Sequence, residues 1–441
     1  MAPSRFFNKL PRGKVYLEPR RVLHDWGRNG LADALERGDA VATFERAFAA
    51  TFGTRNAIAM PMARTSFYYL LKALRLPPGS EVIMPPLNIA DMVNMILLAD
   101  LKPVFVDLGE RTGNLDPTKL QAALTSRTKV ILVTHIAGLP SDMDPIRKFA
   151  REHGLTVMED GSQAIGARYD GENVGLLGDA GFFSLSTLKP VSTFFGGIIT
   201  TNNDILAETV RSMIAHQQAP RRAVMIEPVL REFLLDLALR PLAFSAGMYY
   251  LIGLANRLDP RLIDKIQRGN QNFVWTTNPR PSRRTRLPQD FDSRFTDFQA
   301  RAGLGYLPGF WEETGRRQAL GELLIKLLST RHHHHLPVIP DKAEPVFWRF
   351  PFWPSDPRAF RRSLHDRYVD STRTNLVLCS RDEAFSPWKT TLPQAETFAD
   401  EMVFLPIHHD MTEEDMAWIA EAVNDATPSA RRPNSARGGT S

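Results

Sequence analysis

The stretch Leu155-Thr156-Val157-Met158-Glu159-Asp160-Gly161-Ser162-Gln163-Ala164 decides how this chain is read, together with Phe182-Phe183-Ser184-Leu185-Ser186-Thr187-Leu188-Lys189 downstream of it. The apolar run 155–158 reads as a buried strand that closes on Asp160. A second apolar run, Ala180 to Leu185, leads to Lys189, twenty-nine residues after the Asp. A carboxylate at the end of one strand and an amine after the next can face a single crevice. That pairing suits a pyridoxal phosphate enzyme. The Lys forms a Schiff base with the cofactor aldehyde, and the Asp keeps the pyridine nitrogen protonated so that the ring withdraws electrons.

Outward from this core, strands and helices alternate. Strands are expected at Asn56–Met60 and near 81–84, 103–106, 130–134, 155–159, 180–185 and 197–201. Helices are expected from Phe44, over Thr65 to Leu74, and from Trp311 to about residue 330. Such alternation predicts an α/β fold with a mostly parallel sheet and helices on both faces. Ligands of such sheets bind at the C-terminal strand ends, where Asp160 falls. The expected organisation is an irregular arm at 1–40 with a short helical piece around Leu31–Glu36 and a large domain at 41–290. A smaller C-terminal α/β domain at 291–426 and a disordered tail at 427–441, rich in Pro, Ser, Arg and Gly, complete it.

These residues carry a family resemblance. Glu159-Asp160, Gln163-Ala164, Gly166-Ala167, Gly171, Gly175, Gly178-Asp179, Phe183-Ser184, Lys189 and Gly196-Gly197 stand in register with the signature of the DegT/StrS sugar aminotransferases. Gly79-Ser80-Glu81-Val82-Ile83-Met84-Pro85 resembles the family's "GDEVIxP", Arg294-Phe295-Thr296-Asp297-Phe298-Gln299-Ala300 its "RMTxLQA", and Leu405-Pro406-Ile407-His408 its "LPxH". The resemblance covers about 41–203 and 292–424. It implies fold type I, a pyridoxal phosphate cofactor, an amino-acid donor (glutamate), and a keto sugar on a nucleotide as acceptor. A homodimer with the site at its interface, and a role in surface polysaccharide or glycoconjugate synthesis, are implied with them.

The resemblance also assigns roles. Lys189 and Asp160 are the catalytic pair, Ser184 a phosphate ligand and Gln163 the neighbour of the ring's phenolic oxygen. Arg64 and Thr65 open a helix where the family has "GTxA", and a helix start suits a phosphate. There the family Gly is not matched. The aromatic residue expected after "GDEVIxP" is absent from Pro86-Leu87-Asn88-Ile89-Ala90, so Ile89 or a neighbour is expected to cover the ring. The family Asn that reaches the partner's phosphate is here Asp292, whose charge suits no phosphate, and "GEGG" is here Phe194-Phe195-Gly196-Gly197. His135, which matches a family histidine, reads as structural. The run His332-His333-His334-His335 follows a helix, where successive side chains diverge, so no metal site is expected.

Composition bounds the rest. The 441 residues are 43% hydrophobic and 23% charged, as in ordinary globular proteins, and carry a net charge of +5. One cysteine, Cys379, excludes an intrachain disulfide and suits a reducing compartment. Met1 to Arg21 has no hydrophobic leader pattern, which points to the cytoplasm. No finger, helix-turn-helix or RNP-like pattern suggests nucleic acid. The main departure from the family is an apolar helical insertion at about 205–290. Its charge-free stretch from Pro241 to Ala255 is shorter than the ~20 residues of a membrane span. Two expectations follow for 231–257: a helix pair packed on the body or the dimer partner, or a hydrophobic lid or interfacial helix pair that meets a lipid-linked substrate or the inner face of a membrane. Arg280, Arg283, Arg284 and Arg286 read as a charged loop or an anion contact. Two rival functions stand beside the aminotransferase. One is a sugar dehydratase or eliminase, in which the family replaces the Lys by His; Lys189 opposes it. The other is a non-enzymatic binding protein on the same fold.

Overall fold

The computed structural model describes residues 8–15, 38–258, 281–374 and 376–427. Leu31–Glu36 and the tail beyond Thr427 lie outside these. A seven-stranded sheet is built from β1 (Asn56–Met60), β2 (Glu81–Met84), β3 (Lys102–Phe105), β4 (Thr128–Thr134), β5 (Thr156–Asp160), β6 (Ala180–Ser184) and β7 (Gly197–Thr201). Their order in space is β1-β7-β6-β5-β4-β2-β3. The run β6-β5-β4-β2-β3 is parallel throughout, and β7 is antiparallel to both its neighbours. The expected mostly parallel sheet is therefore present.

The strands are apolar on both faces because helices cover both. Helix α1 (Asp39–Phe52) packs Phe44 and Phe48 against Ala57, Ala59, Phe183 and Ile198. On another core lie α2 (Ala63–Ala73) and α3 (Ala90–Leu98), where Val82, Met84, Leu132 and Phe182 point. Helix α4 (Met143–His153) covers the opposite neighbours Ile83, Ile131, Val133 and Val157. Successive strand residues thus serve opposite cores, as the two-residue period of a strand requires.

Helix α5 (Asp204–Ile214) buries Leu206, Val210 and Ile214 in the α2–α3 core, so the first part of the predicted insertion belongs to the body. Helices α6 (Arg222–Leu239) and α7 (Tyr249–Leu258) form the insertion itself. Both their inner and their outer faces carry apolar side chains. Met225, Val229, Glu232, Phe244, Ser245 and Tyr249 face inward, while Leu230, Leu234, Leu237, Leu242, Leu251 and Leu254 are each more than half exposed. The inward face matches the expected packing on the body.

Helix α8 (Asp297–Leu304) is followed by the long α9 (Phe310–His332). Residues 291–310, assigned by sequence to the C-terminal domain, pack instead on the large one. Phe295 stacks on Phe44 at 5.9 Å, Asp297 accepts the Val41 N–H at 3.1 Å, and Ala300, Leu307 and Phe310 complete the α1 core. Their apolar spacing could not say which core they join. The small domain holds an antiparallel sheet of β8 (Phe350–Phe352), β9 (Thr372–Arg373) and β10 (Val403–Leu405), with β10 central. Helix α9, α10 (Pro357–Asp366) and α11 (Glu413–Ala426) cover it through Leu324, Leu328, Phe360, Leu364, Met416 and Ile419. Residues 8–15 run alongside: Leu10 pairs in parallel with Val369, and Lys9 Nζ donates to the Ser245 carbonyl of the insertion at 2.9 Å.

Phe183 of β6 holds the sheet and its loops at fixed spacing. A Cβ on Gly161 or on Gly175 would stand 2.3 Å from its ring. Phe183→Ala is expected to lower the unfolding free energy by ~3–5 kcal/mol, as for other large-to-small changes in a close-packed core. Urea titration checks this, and a loss below about 1 kcal/mol would mean that the surrounding core collapses into the space.

Candidate active site

Parallel strands bring their C-terminal ends to one edge, and the chemistry gathers there. Asp160 ends β5, and β6 pairs with it in the register Asp160 to Phe182, so Ser184 emerges beside it. The turn after β5 carries Ser162 and Gln163. Ser162 Oγ accepts the Ser184 N–H at 3.1 Å, and Gln163 Oε1 accepts the Ala137 N–H at 2.8 Å. Beyond β6 the chain turns to Lys189, whose N–H donates to the Ser186 carbonyl at 2.8 Å. Lys189 and Asp160 are both 7% exposed. The structure therefore brings Lys189, Asp160, Gln163 and Ser184 to one edge of the sheet.

Electrostatics set the state of the pair. Burial drives the Lys189 amine down to about 7; Asp160 opposes this, while Arg349 and Arg317 push the same way. Burial raises the Asp160 carboxyl above its ordinary value, against the Ser162 hydrogen bonds and the fields of Lys189 and His135. The Ser162 N–H donates to Asp160 Oδ1 at 2.9 Å. Behind the pair, His135 is structural. Its Nδ1 accepts the Ser141 N–H at 3.0 Å, so the proton lies on Nε2, which faces Glu159 at 3.1 Å.

Helix α2 begins at the same edge. A Cβ on Gly197, where β7 starts, would lie 2.5 Å from the Ala63 nitrogen, so only glycine allows this approach. Ser66 N–H makes the first intrahelical bond, to Met62 O at 2.9 Å, and the N–H groups of Ala63, Arg64 and Thr65 precede it. The side chains of Arg64 and Thr65 are engaged elsewhere, contrary to a direct ligand role. Arg64 Nη1 pairs with Asp91 at 2.6 Å, and Thr65 Oγ1 donates to the Phe291 carbonyl at 2.8 Å. Arg284 also pairs with Asp91 at 2.6 Å, which fixes the basic segment after residue 280 that the sequence left between loop and anion contact. Burial alone would raise the Asp91 carboxyl, but the two guanidiniums hold it below its usual range. Asp292 accepts from Tyr69 and Gln217 within the chain.

Sequence reasoning missed Trp348 and Arg349. The Lys189 amine lies 3.8 Å from the Trp348 ring centroid, and Trp348 Nε1 donates to the Leu188 carbonyl at 3.0 Å. Ile89 is partly buried and packs against the α2–α3 core. The Arg349 guanidinium lies 4.6 Å from the Trp348 ring centroid, and its backbone N–H donates to the Ala137 carbonyl at 3.3 Å. Burial, with Arg12 nearby, lowers its pKa to about 10. The only sequence signal was an aromatic residue next to an arginine. It gains meaning through Gly138, where a Cβ would stand 2.5 Å from the Trp348 nitrogen. The histidine run is spent on structure: His332 meets Asn424 Oδ1 at 2.8 Å, and His335 the Trp353 carbonyl at 2.5 Å. Cys379 is buried, and burial raises its thiol pKa, which makes it inert.

A buried lysine and aspartate at the C-terminal edge of a parallel sheet with one reversed strand define a lysine-centred α/β enzyme scaffold. The chain belongs to the DegT/DnrJ/EryC1/StrS aminotransferase family, whose signature matches residues 30–226 and 266–424. It is 42% identical over 185 residues to the GDP-perosamine synthase of Caulobacter vibrioides, covering 42% of this chain and 50% of that protein. It is 39% identical over 182 residues to the spore coat polysaccharide biosynthesis protein SpsC of Bacillus subtilis, covering 41% of this chain and 47% of that one. The chain thus spans about half the length of the curated relatives it matches. A family aminotransferase from Brucella abortus superposes with a TM-score of 0.71 at 19% identity, over 92% of this chain and 95% of that one, which shows the shared fold.

The fields around Lys189 predict opposite shifts for two variants. Asp160→Asn removes the charge that stabilises the ammonium and is expected to bring the amine below about 7; Arg349→Gln removes a repelling cation and is expected to raise it. The pH dependence of Lys189 modification in the cofactor-free protein, resolved by peptide mass spectrometry, measures both. Shifts of the same sign would refute this account of the site.

Proposed function

We propose that the chain is a pyridoxal phosphate-dependent aminotransferase that moves an amino group from an amino acid, glutamate by family resemblance, to a keto sugar linked to a nucleotide. The observation that carries this reading is the buried, near-neutral amine of Lys189 beside the buried Asp160. The residues present fit the cofactor. The first-turn N–H groups of α2, Ser184 and Ser186 suit its phosphate, Asp160 its ring nitrogen, and Lys189 its aldehyde. Gln163, whose Oε1 is already used by Ala137, has its amide N–H groups left for the phenolic oxygen.

When bound, the cofactor supplies a reactive carbonyl and a ring that draws electrons from the reacting carbon. Asp160 holds a proton at the ring nitrogen. Lys189 would hold the group at its aldehyde and, as a free neutral amine, would move the proton off the donor's α-carbon. An ordinary lysine, with a pKa near 10.4, would be almost wholly protonated at neutral pH. At about 7 a large share of Lys189 is the neutral base. Trp348 shields that amine from water, and Arg349 with Arg317 offers positive charge to a carboxylate or diphosphate. The names of the perosamine synthase and the spore coat protein support a surface-polysaccharide setting. A homodimer in the cytoplasm is part of the proposal. So is contact with the inner face of the membrane through α6 and α7. Among the described residues no single helix is long and apolar enough to cross a membrane, whereas Met225–Leu239 and Pro241–Leu254, bent by 70°, satisfy length and composition as a pair.

Lys189→Ala is expected to abolish transamination while leaving the fold intact, and borohydride is expected to trap the cofactor on Lys189 in the wild type. Trapping on another lysine would refute the assignment, and no trapping at all would favour the non-enzymatic reading. Asp160→Asn should still bind cofactor but turn over on the order of 10²-fold or more slowly, as when a preorganised electrostatic contact is lost. Single-turnover rates equal to the wild type would exclude the role.

For the exposed leucine face, about 200 Å² of apolar area leaving water would contribute about 5 kcal/mol, enough for reversible attachment. The protein is expected to float with anionic liposomes and the Leu234→Ser, Leu251→Ser double variant to stay behind. Equal flotation of both would remove the membrane contact from the proposal. Failure of both, with dimers lost in the variant, would assign the face to a second copy.

A further inference from the structure

We propose that Glu232, carried by the insertion, is a positioning residue: through Thr187 and Ser192 it fixes the turn that presents Lys189. Residues 227–265 lie outside the segments that match the family, so this contact belongs to the insertion of this chain. Glu232 is fully buried. Ser192 Oγ donates to its Oε1 at 3.2 Å and accepts the Phe194 N–H at 3.2 Å. Thr187 Oγ1 lies 3.4 Å from Oε2 and 3.2 Å from the Phe194 carbonyl. Thr187 and Ser192 bracket Lys189, and Phe194, at the far end of the turn, sits in the left-handed region with φ 67°. Phe194 occupies the place of a family glycine. A side chain there needs something to hold the turn, and the Glu232 clamp supplies it.

Proton accounting gives the state of the clamp. Thr187 has one hydroxyl proton and two oxygens to face. If Glu232 is the carboxylic acid, Oε2–H donates to Thr187, Thr187 donates to the Phe194 carbonyl, and Ser192 donates to Oε1. Every group is then satisfied, whereas an ionised Glu232 sets a single Thr187 proton between two acceptors. Burial agrees, raising the Glu232 carboxyl to about 8 against the pull of Ser192, Thr187 and Arg231, with Asp236 assisting. Arg231 and Asp236 share its helix. Arg231 pairs with Glu227 at 3.6 Å and Asp236 with Arg240 at 3.4 Å, while Lys14 of the N-terminal segment faces Asp236. The turn itself presents hydroxyls to Glu232, and 244–248 of the insertion present no charge.

Glutamine reproduces the hydrogen bonds of a carboxylic acid, an N–H toward Thr187 and a carbonyl toward Ser192. The test is amide hydrogen exchange of residues 185–197 in the cofactor-free protein, with Lys189 modification against pH as a second readout, so that it stands apart from the proposed activity. Glu232→Ala is expected to speed exchange of this segment at least tenfold and to shift the Lys189 titration, whereas Glu232→Gln keeps both within about twofold of the wild type. After correction for intrinsic rates, exchange in the wild type should rise as pH passes about 8, and in Glu232→Gln it should not. Should Glu232→Ala fail to fold, Thr187→Val with Ser192→Ala removes the same contacts from the other side and is expected to loosen the turn equally. Native exchange and native Lys189 titration in the folded Ala or double variant would overturn the proposal, as would a glutamine variant as loose as the alanine one. Where the cofactor-free readouts move and turnover is absent even in the wild type, the clamp stands and the aminotransferase reading falls.

Discussion

Burial of the Lys189 amine is the constraint on which the rest of the site depends. A lysine 7% exposed, with its pKa drawn from 10.5 to about 7, is biased toward its neutral form by roughly 5 kcal/mol. That bias exceeds the contribution of any single neutral hydrogen bond, about 1 kcal/mol. It must be held by surroundings that exclude water and bring only one carboxylate near. The parallel sheet does the second part by placing two strand ends side by side, with Asp160 on one of them near the turn to Lys189. Trp348, from the small domain, does the first by lying on the amine. The two domains are thus joined across one charge-sensitive atom. Replacing that contact with water would return the amine toward its ordinary state.

Much of this was legible in sequence, and the reason is local. The strands of the central sheet are short apolar runs, and their period and their punctuation, such as Pro61, Pro85 and Asp160, are written in adjacent residues. Lys189, Asp160, Gln163 and Ser184 lie on two such strands and the turns after them, so chain order alone brings them to one edge. Arg64 and Thr65 show where local reading stops. Their backbone sits at the expected helix start, but Asp91 and Phe291, 27 and 226 residues away, take their side chains. Trp348 and Arg349 were invisible for the same reason, since only the close approach at Gly138 gives them the site. The assignment of 291–310 failed because apolar spacing reports that a face is buried and not which core it joins.

The insertion puts a pair of helices, apolar on both faces, where the family signature has a gap. Its inward face is anchored on three sides. Lys9 of the N-terminal segment lies over the rings of Tyr249 and Tyr250 at 5.5 and 4.9 Å. Tyr249 stacks on His365 of α10 at 4.2 Å, and a Cβ on Gly253 would meet the same imidazole at 2.3 Å. Glu232 reaches the lysine turn. A segment tied to both domains and to the catalytic turn cannot shift on its outer face without loading those contacts. Whatever covers the exposed leucines is therefore mechanically linked to the site, a consequence of packing density and not of any separate signalling route.

The turn 185–195 carries Lys189 and rests on Glu232 of α6, two titratable groups of opposite type that burial drives toward neutrality together. Lys189 loses its proton in the folded chain at about 7 and in the unfolded chain at 10.5, so its penalty shrinks as pH rises through that window. Glu232 behaves in the opposite sense. The unfolded chain releases its proton near 4.5 and the folded chain near 8, so stability drains as pH rises between them. The two slopes cancel only where the windows overlap, between about 7 and 8. In that interval the turn holds a neutral amine, ready to act as a base, beside a neutral acid whose one proton goes to Thr187 and frees the Thr187 proton for the Phe194 carbonyl. Below it the amine charges and the clamp persists; above it the amine stays neutral and the clamp is lost. The pH range in which Lys189 is both reactive and held in place is thereby narrower than either group alone would set.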